Sequence, residues 1–382
     1  MAVSPASISI PAELRPADGR FGSGPSKVRP EAVKALEARA VDYMGTSHRR
    51  TGVRSVVGRL RAAMDELFGL GDGWEVVLGN GGSTGFWDAA AFSMIERRAQ
   101  HLTFGEFSEK FSAVTAAAPH LRDPMVITAP YGTHPVPEPA NAADIDVYAL
   151  THNETSTGVC MPLVQPQLSP SRQGDTPSLV MVDATSAAGA MTWDPADVDC
   201  YYFAPQKVFA ADGGLFIALC SPATIERIER IDASGRYKPA TLDLAIAARN
   251  SRQDQTYNTP ALATILLTLE TAEWMLDGGG LGWAASRSAA SSGTVYGWAA
   301  AREFASPFVT DATMRSPVVC TIDFDGVSAD DIAAALRAND IVDTEGYRKL
   351  GRNQLRIAAF PAIDPADAEA LTACIDYIVE RL

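Results

Sequence analysis

The chain has 382 residues, 47% of them hydrophobic, so it can bury a large core and is expected to form two domains. Its net charge of −14 argues against nucleic acid or an anionic membrane as a partner. The sequence lacks both an apolar run of membrane-spanning length and a basic-then-hydrophobic N-terminus, so we expect a cytoplasmic protein.

The cysteines and histidines argue against two kinds of site. The five cysteines are odd in number, widely scattered and free of any CxxC pair, which supports neither a disulfide framework nor a zinc site. His152 has no second histidine or carboxylate at a metal-ligand spacing. We therefore expect no bound metal.

The first part of the chain predicts an extended arm and then a helix. Residues 1–29 are rich in Pro, Ala and Ser and include a glycine-rich turn, which is typical of an irregular arm. A helix is expected from Pro30, with Val33, Leu36 and Val41 as its apolar stripe.

A basic island covers residues 43–61 of this acidic chain. Arg59 and Arg61 are explained by a solvated helix face, whereas His48 and Arg49 lie in a loop between glycines. Side chains in such a loop can converge on an anion through charge-assisted hydrogen bonds. The sequence therefore indicates an anion site here, with a plain solvated loop as the alternative.

Residues 75–92 predict a strand, a glycine-rich turn and a helix. The turn at residues 80–85 places backbone N–H groups and the hydroxyls of Ser83 and Thr84 at a helix N-terminus, which is a phosphate cradle. It is neither a P-loop nor a dinucleotide-binding fingerprint, and tight strand-to-helix turns often use glycine without any ligand.

Two further stretches place side chains at strand ends. Residues 102–111 lead from a strand into a helix, where Phe104 or Phe107 could lie over a flat heteroaromatic ring or simply fill the core. Residues 146–150 form a strand that runs into the polar cluster at 151–158, at the edge where open α/β sheets place ligands.

A single lysine, Lys207, lies between two apolar stretches that predict buried strands, residues 199–204 and 214–220. Desolvation penalises an ammonium, so this lysine should have a lowered pKa and could be a nucleophile, although an isolated lysine often extends its amine to solvent. Residues 178–183 predict another buried strand, which ends in Asp183. A strand-end aspartate followed by an inter-strand lysine is the pair that pyridoxal 5′-phosphate chemistry requires.

The remainder of the chain predicts a smaller α+β unit. A long apolar helix at 261–275 and a glycine break at 278–282 precede strands at 318–324 and 354–360. Arg356 has apolar neighbours in the second strand, so it either faces solvent or needs an anionic partner. We divide the chain into an N-terminal arm on the substrate side (residues 1–29), a large cofactor-binding domain (30–265) and a small C-terminal domain (266–382).

Eight short motifs follow one another along the chain: Phe-x-Ser-Gly-Pro, Ser-His-Arg, Gly-Gly-x-x-Gly, Asn-Glu-Thr-x-x-Gly, Asp-x-x-Ser, Gln-Lys, Tyr-Asn-Thr-Pro and Arg-Ile. In this order they cover nearly the whole chain, and the chain resembles the phosphoserine aminotransferases of the class V branch of fold-type I pyridoxal-phosphate enzymes. The resemblance implies an α/β fold, with a large, mainly parallel-sheet domain and a smaller α+β C-terminal domain.

The resemblance also implies a role for each matching residue. Lys207 would bond covalently to pyridoxal 5′-phosphate, and Asp183 would pair with its ring nitrogen. Phe107, where many members have tryptophan, would stack on the ring, and Thr155 would hydrogen-bond the ring hydroxyl. The cofactor phosphate would be held by Ser83, Thr84, Ser186 and Gln206, and by Asn258 and Thr259 of the other subunit of a homodimer. The substrate α-carboxylate would bind Arg356 near Ser23, and the substrate phosphate His48, Arg49 and Arg348, beside a Tyr347 that replaces the histidine of some members.

The implied reaction moves the amino group of L-glutamate to 3-phosphohydroxypyruvate, giving O-phospho-L-serine and 2-oxoglutarate in L-serine biosynthesis. A phosphorylated hydroxy-ketoacid of pyridoxine biosynthesis is a further acceptor that the resemblance leaves open. The alternatives are a class V aminotransferase for small substrates (alanine, serine or glyoxylate) and a non-catalytic cofactor-binding module. A cysteine desulfurase would need a reactive loop cysteine, and Cys160 is the one candidate outside the predicted strands. A second basic island lies at residues 346–356, and two such islands favour the phosphorylated substrate. An intact lysine–aspartate pair argues against the silent module.

Overall fold

The computed structural model describes residues 4–140, 144–163 and 178–382. Its strands are β1 (Glu75–Asn80), β2 (Ala99–Thr103), β3 (Met125–Thr128), β4 (Val147–Thr151), β5 (Asn153–Glu154), β6 (Val159–Cys160), β7 (Leu179–Asp183), β8 (Cys200–Phe203), β9 (Leu215–Cys220), β10 (Ala305–Pro307), β11 (Val319–Phe324) and β12 (Gln354–Ala358). Its α-helices are α1 (Pro30–Tyr43), α2 (Thr51–Phe68), α3 (Gly82–Ser93), α4 (Glu106–Ala117), α5 (Pro222–Ala233), α6 (Leu244–Ser251), α7 (Leu262–Gly278), α8 (Gly280–Ala300), α9 (Ala329–Arg337) and α10 (Pro365–Val379).

A seven-stranded sheet in the order β1-β9-β8-β7-β4-β2-β3 forms the centre of the larger unit. Strand β9 runs antiparallel to both of its neighbours, and the remaining neighbouring pairs are parallel. Every residue of β2, β4, β7, β8 and β9 is buried, because these strands are covered on both faces. This burial explains their apolar sequence without alternation, and the predicted α/β fold with a mainly parallel sheet is confirmed.

The strand directions bring several connections to one edge of the sheet. Strands β2, β4, β7 and β8 are parallel, so their carboxyl ends share that edge, and the β8–β9 connection starts there. Strand β1 is antiparallel to β9 and therefore runs with β8, which brings the glycine turn before α3 to the same place. Ligands bind at this edge in open α/β sheets.

The C-terminal unit is built on a three-stranded antiparallel sheet, β10-β11-β12, with α8, α9 and α10 packed near it. The N-terminal arm pairs with this unit: the amide of Phe21 donates to the carbonyl of Val342 (3.2 Å), and the amide of Ala358 donates to the carbonyl of Phe21 (3.1 Å). This pairing places residues 22–25 of the arm next to the end of strand β12. The division at residues 29/30 and 265/266 stays a prediction.

Helix α1 begins at Pro30 as predicted, but of its predicted apolar stripe only Leu36 packs against the core, and the prediction is wrong for Val33 and Val41. Val33 and Val41 are 49% and 96% exposed, whereas Ala32 and Tyr43 are fully buried. The hydroxyl of Tyr43 donates to the carbonyl of Leu262 (3.0 Å), so the tyrosine and not the valines faces α7. Within the described ranges, each helix is too short or too polar to cross a bilayer.

Candidate active site

Lys207 lies in the β8–β9 connection and is only 7% exposed. Its Nζ donates to Oγ1 of Thr155 (2.6 Å) and lies 4.9 Å from the centroid of the Phe107 ring. Burial lowers the pKa of Lys207 to about 8, against the opposing pull of the Asp183 charge. The alternative of an amine extended into solvent does not hold, and near neutral pH a usable fraction of this amine is unprotonated.

Asp183 ends β7 in the same cavity and is 6% exposed. Its Oδ1 accepts hydrogen bonds from the amide (2.9 Å) and hydroxyl (2.6 Å) of Thr185, and its Oδ2 accepts one from Nε1 of Trp87 (3.1 Å). Donors on both oxygens fix the plane of the carboxylate. Sequence reasoning missed Trp87 and Thr185 as partners, because neither lies in a residue pattern that points to an aspartate.

Lys207 and Asp183 line a cavity of about 310 Å³, called here the lysine cavity. Its wall includes Phe107 and Thr155, and at one end the glycine turn with Ser83 and Thr84. Helix α3 begins on Gly81 (φ +116°) without a side-chain cap, so its first amides are open to an anion. Buried Oε1 of Gln206 and Oδ1 of Asn153 also lack a hydrogen-bond partner within the described ranges.

These features fit pyridoxal 5′-phosphate. The cavity offers an amine for its aldehyde, a carboxylate for its ring nitrogen, a helix N-terminus for its phosphate and an aromatic face for its ring. Of the cofactor-site residues predicted for the same chain, Ser186 is the one that does not line this wall; it is 1% exposed and bonded to Thr155 (2.9 Å) and Asn153 (2.8 Å). Thr185 lies at the wall instead, 2.6 Å from the hydroxyl of Ser83.

A buried glutamate supports the aromatic face. Glu154 accepts hydrogen bonds from the backbone amides of Phe107 (3.2 Å) and Ser108 (2.9 Å) through Oε2, and from the amide of Ser156 (3.1 Å) through Oε1. Burial raises the pKa of Glu154, and these amides oppose that change. The carboxylate caps α4 at its first turn and so sets where the Phe107 ring stands.

A second cavity of about 590 Å³, called here the arginine cavity, adjoins the first, since Gly24 and Pro25 line both. It contains Arg356, Arg348 and Ser23. Gly24 has φ +130°, and a Cβ there would lie 2.8 Å from Cε of Lys207, so only glycine fits.

The polar groups of the arginine cavity are incompletely paired. Nη1 of Arg356 donates to the carbonyl of Thr155 (3.4 Å), while its buried Nε and the buried hydroxyl of Ser23 have no partner in the described part of the chain. Burial lowers the pKa of Arg356. A guanidinium and a hydroxyl with free donors at such a depth are ready to bind a carboxylate.

One segment of the C-terminal unit lines the arginine cavity and contacts Phe107, a wall residue of the lysine cavity. The ring of Tyr347 lies 6.2 Å from that of Phe107 and 5.2 Å from the guanidinium of Arg356. The adjacent Lys349 forms an ion pair with Glu106, at the start of α4. These contacts hold the segment against the helix that carries Phe107.

Four predicted site residues lie elsewhere, and we call them the rim cluster: His48, Arg49, Asn258 and Thr259. Nδ1 of His48 lies 3.4 Å from Oγ1 of Thr259, and Nδ2 of Asn80 donates to Oδ1 of Asn258 (2.6 Å). Arg49 is exposed. Burial, and then the charge of Arg49, lower the pKa of His48. Among the residues described, none of the four lines the lysine cavity or the arginine cavity.

Cys160 is not the loop cysteine that a desulfurase would need. It lies in strand β6, against the expectation that it falls outside a strand, and burial raises the pKa of its thiol to about 11. A thiol with that pKa carries little thiolate at neutral pH, so it is a poor nucleophile.

The class V aminotransferase family model matches residues 138–349. A putative phosphoserine aminotransferase of Mycolicibacterium vanbaalenii is 54% identical over 376 residues, 98% of this chain and 99% of that protein. The phosphoserine aminotransferase of a Nocardioides strain is 54% identical as well, over 98% of this chain and 99% of its own.

Solved structures give the same fold at lower identity. A phosphoserine aminotransferase from Cytophaga hutchinsonii has a TM-score of 0.84 at 24% identity and covers 93% of this chain and 97% of its own. Pyridoxamine–pyruvate aminotransferase from Mesorhizobium loti has a TM-score of 0.80 at 20% identity, over 98% and 94% of the two chains. On the sequence identity to its curated relatives, this chain belongs to the class V aminotransferases and, among them, to the phosphoserine aminotransferase family.

Proposed function

We propose that this enzyme moves the amino group of L-glutamate to 3-phosphohydroxypyruvate, giving O-phospho-L-serine and 2-oxoglutarate, in the cytoplasm. The observation that carries the proposal is the pair of adjoining cavities. One holds a desolvated amine opposite a carboxylate, and the other holds a buried guanidinium with a free donor. The amine suits transamination, and the guanidinium suits an amino acid or ketoacid.

The cofactor of this family, pyridoxal 5′-phosphate, supplies an electron sink that stabilises negative charge at the substrate Cα. Lys207 would hold it covalently, and Asp183 would hold a proton at its ring nitrogen. Ser83, Thr84 and the first amides of α3 would hold its phosphate. The Phe107 ring would cover one face, and Thr155, already bonded to Lys207, would hydrogen-bond its ring hydroxyl.

Lys207 also serves as the base. Once free, its neutral amine takes a proton from the substrate Cα, and a pKa of about 8 matches that task near neutral pH. The hydrogen bond to Thr155 keeps the amine on the wall of the cavity between transfers. The low exposure of Lys207 keeps bulk water from competing for the proton.

Arg356 and Ser23 would bind the substrate α-carboxylate, because both residues line the arginine cavity and each has a buried donor without a partner in the described ranges. Charge-assisted hydrogen bonds of this kind are worth roughly 1.5–3 kcal/mol each. Arg348 lines the same cavity and would meet the far end of the substrate, a γ-carboxylate or a phosphate.

We also propose that the enzyme is a homodimer with shared sites. The rim cluster would then serve the cavities of a second copy, with His48 and Arg49 at the substrate phosphate and Asn258 and Thr259 at the cofactor phosphate. The exposed apolar surface of Val41 and Met44, on the residues leading to His48, supports a covered face there.

The test is a single-turnover experiment on purified protein. The bound cofactor is first converted to its amine form with glutamate, and 3-phosphohydroxypyruvate and pyruvate are then offered separately. Fast return of the original absorption with the phosphorylated acceptor alone is the expected result. Equal return with pyruvate would indicate an aminotransferase for small substrates, and no response to glutamate would overturn the proposed donor.

A further inference from the structure

Trp87, in α3, has not been assigned a role by any pattern in the sequence. Its side chain is 3% exposed and reaches the wall of the lysine cavity. The indole ring stacks on Phe111 of α4 at 5.8 Å and an interplanar angle of 15°, which fixes its orientation. Its Nε1 points to Asp183, 3.1 Å from Oδ2, and to the hydroxyl of Tyr202, 2.9 Å away.

An indole N–H is a donor only, so at Asp183 it can stabilise the carboxylate but cannot accept a proton from it. Thr185 already donates twice to Oδ1, and Trp87 adds a donor on Oδ2. The hydroxyl of Tyr202 is a further hydrogen-bond partner of Asp183, so Thr185, Trp87 and Tyr202 together hold the carboxylate. Tyr202 is fully buried behind the same carboxylate, and burial together with the Asp183 charge raises its pKa. Tyr202 therefore remains a neutral phenol.

We propose that Trp87 is a positioning residue whose indole N–H holds Oδ2 of Asp183 and stabilises negative charge on it, so that the proton shared with the cofactor would stay on the ring nitrogen. This inference rests on the proposed function, since it requires pyridoxal 5′-phosphate in the lysine cavity. A phenylalanine in place of Trp87 would fill the core and stack on Phe111, but it would supply no donor. The proposed role therefore belongs to the indole N–H, which donates to Asp183, and not to the aromatic ring.

The first experiment compares Trp87→Phe with Trp193→Phe. Trp193 also stacks on an aromatic ring (Tyr201, 4.2 Å), but its buried Nε1 has no acceptor among the described residues, so its loss removes an indole without removing a bond. Both apoproteins are reconstituted with pyridoxal 5′-phosphate labelled with ¹⁵N in the ring, and the nitrogen chemical shift and the dissociation constant of the cofactor are measured. Folding is checked by circular dichroism and thermal unfolding.

In Trp87→Phe the ring-nitrogen signal should move toward that of the unprotonated ring, and the cofactor should bind about tenfold more weakly. The kcat should fall by about the same factor with KM little changed, because the lost bond matters most when the ring carries negative charge. Trp193→Phe should keep the wild-type signal. A folded Trp87→Phe protein with a wild-type nitrogen shift would overturn the inference, while wild-type turnover of the phosphorylated acceptor would leave the proposed function standing.

A second measurement needs no change at Trp87 and covers the case in which that variant fails to fold. The indole N–H proton resonances of the wild-type apoprotein are compared with those of Asp183→Asn. A single indole resonance should move upfield in the variant, because its charged acceptor has become a neutral amide. If all indole resonances coincide in the two spectra, Trp87 makes no bond to Asp183 and the inference fails.

Discussion

The lysine cavity and the rim cluster differ in how completely one chain builds them. In the lysine cavity, Lys207 and Asp183 are less than 10% exposed and are hydrogen-bonded to side chains that follow two strands, β5 and β7, and to one from α3. In the rim cluster, Arg49 is exposed, and Nε2 of His48 is buried without a partner in the described ranges. The reacting groups of the lysine cavity are thus held in place by the fold of one chain. The rim cluster instead presents donors that this chain does not pair.

The comparison teaches that chemistry and selectivity are built by different means in this enzyme. Strand ends of a buried sheet hold reacting groups within tenths of an ångström, which transamination requires. Cations for a substrate phosphate must stay accessible until the substrate arrives, so they lie on loops. On our account, the loops of one copy complete the cavities of another.

The largest effect is expected from Lys207→Ala, which removes the amine of the lysine cavity. Turnover should fall on the order of 10⁴-fold or more, because both the covalent anchor and the base are lost. The absorption of the lysine-bound cofactor should disappear at the same time. Lys110→Ala is the matched control, since Lys110 also approaches the Phe107 ring (5.8 Å) but from the solvent side, and it should behave like wild type. Survival of the absorption band in Lys207→Ala would show that another residue is the anchor.

Asp183→Asn is expected to have the next largest effect. The amide cannot hold a proton on the ring nitrogen, so turnover should drop by roughly 10²–10³-fold while the cofactor stays bound. Steady-state kinetics and the absorption spectrum of the reconstituted protein measure the two quantities. Near-normal turnover would remove the electronic role from Asp183 and leave it a structural residue.

Arg49→Ala tests whether the rim cluster binds the substrate phosphate, and Arg50→Ala, a substitution of the neighbouring arginine, is its control. Loss of Arg49 should reduce kcat/KM for 3-phosphohydroxypyruvate by about one to two powers of ten and affect the glutamate half-reaction far less. Arg50, equally exposed and equally charged, should be nearly silent. Equal losses in both half-reactions, or equal effects of the two substitutions, would make Arg49 a structural or general electrostatic residue.

The smallest effect concerns pH and sharpens the account of the lysine cavity alone. Only the neutral amine of Lys207 attacks the cofactor, so the rate at which apoprotein takes up pyridoxal 5′-phosphate should rise with pH, roughly tenfold per unit, and level off above about 8. An exposed lysine would let the rate rise further, toward pH 10. A stopped-flow titration between pH 6.5 and 10 distinguishes the two profiles, and a rise that continues beyond pH 9 would contradict the buried amine.

The sequence predicted the parts of the fold that depend on local pattern. Buried strands such as β7 and β9 were predicted correctly, because a strand that is covered on both faces is a short run of mostly apolar residues. The apolar stripe of α1 was wrong for Val33 and Val41, although Leu36 does pack against the core. Periodicity identifies apolar residues but not which side of the helix meets α7 in a single chain. Val41 looks like a core residue in sequence, yet it is 96% exposed here.

The candidate site divides in the same way. Lys207 and Asp183 were predictable because strand ends and an isolated lysine leave a signal in the sequence. Trp87 and Glu154 were missed, since one sits in a helix that looks like ordinary core and the other acts through backbone amides of a helix 46 residues away in sequence. Packing in three dimensions determines such partners, and the spacing of residues along the chain does not predict them.

The claim that two copies share each site is tested most directly by combining two chains with different defects. Lys207→Ala lacks the amine and Arg49→Ala lacks the rim arginine, so a hybrid dimer holds one site with both residues if they come from different copies. Coexpressed chains with different affinity tags allow the hybrid to be purified and assayed with glutamate and 3-phosphohydroxypyruvate. Our account predicts that selectivity for the phosphorylated acceptor returns at one of the two sites. A hybrid whose selectivity for the phosphorylated acceptor is no higher than that of the Arg49→Ala parent would contradict this prediction. Arg49 would then act in the site of its own chain or in no site.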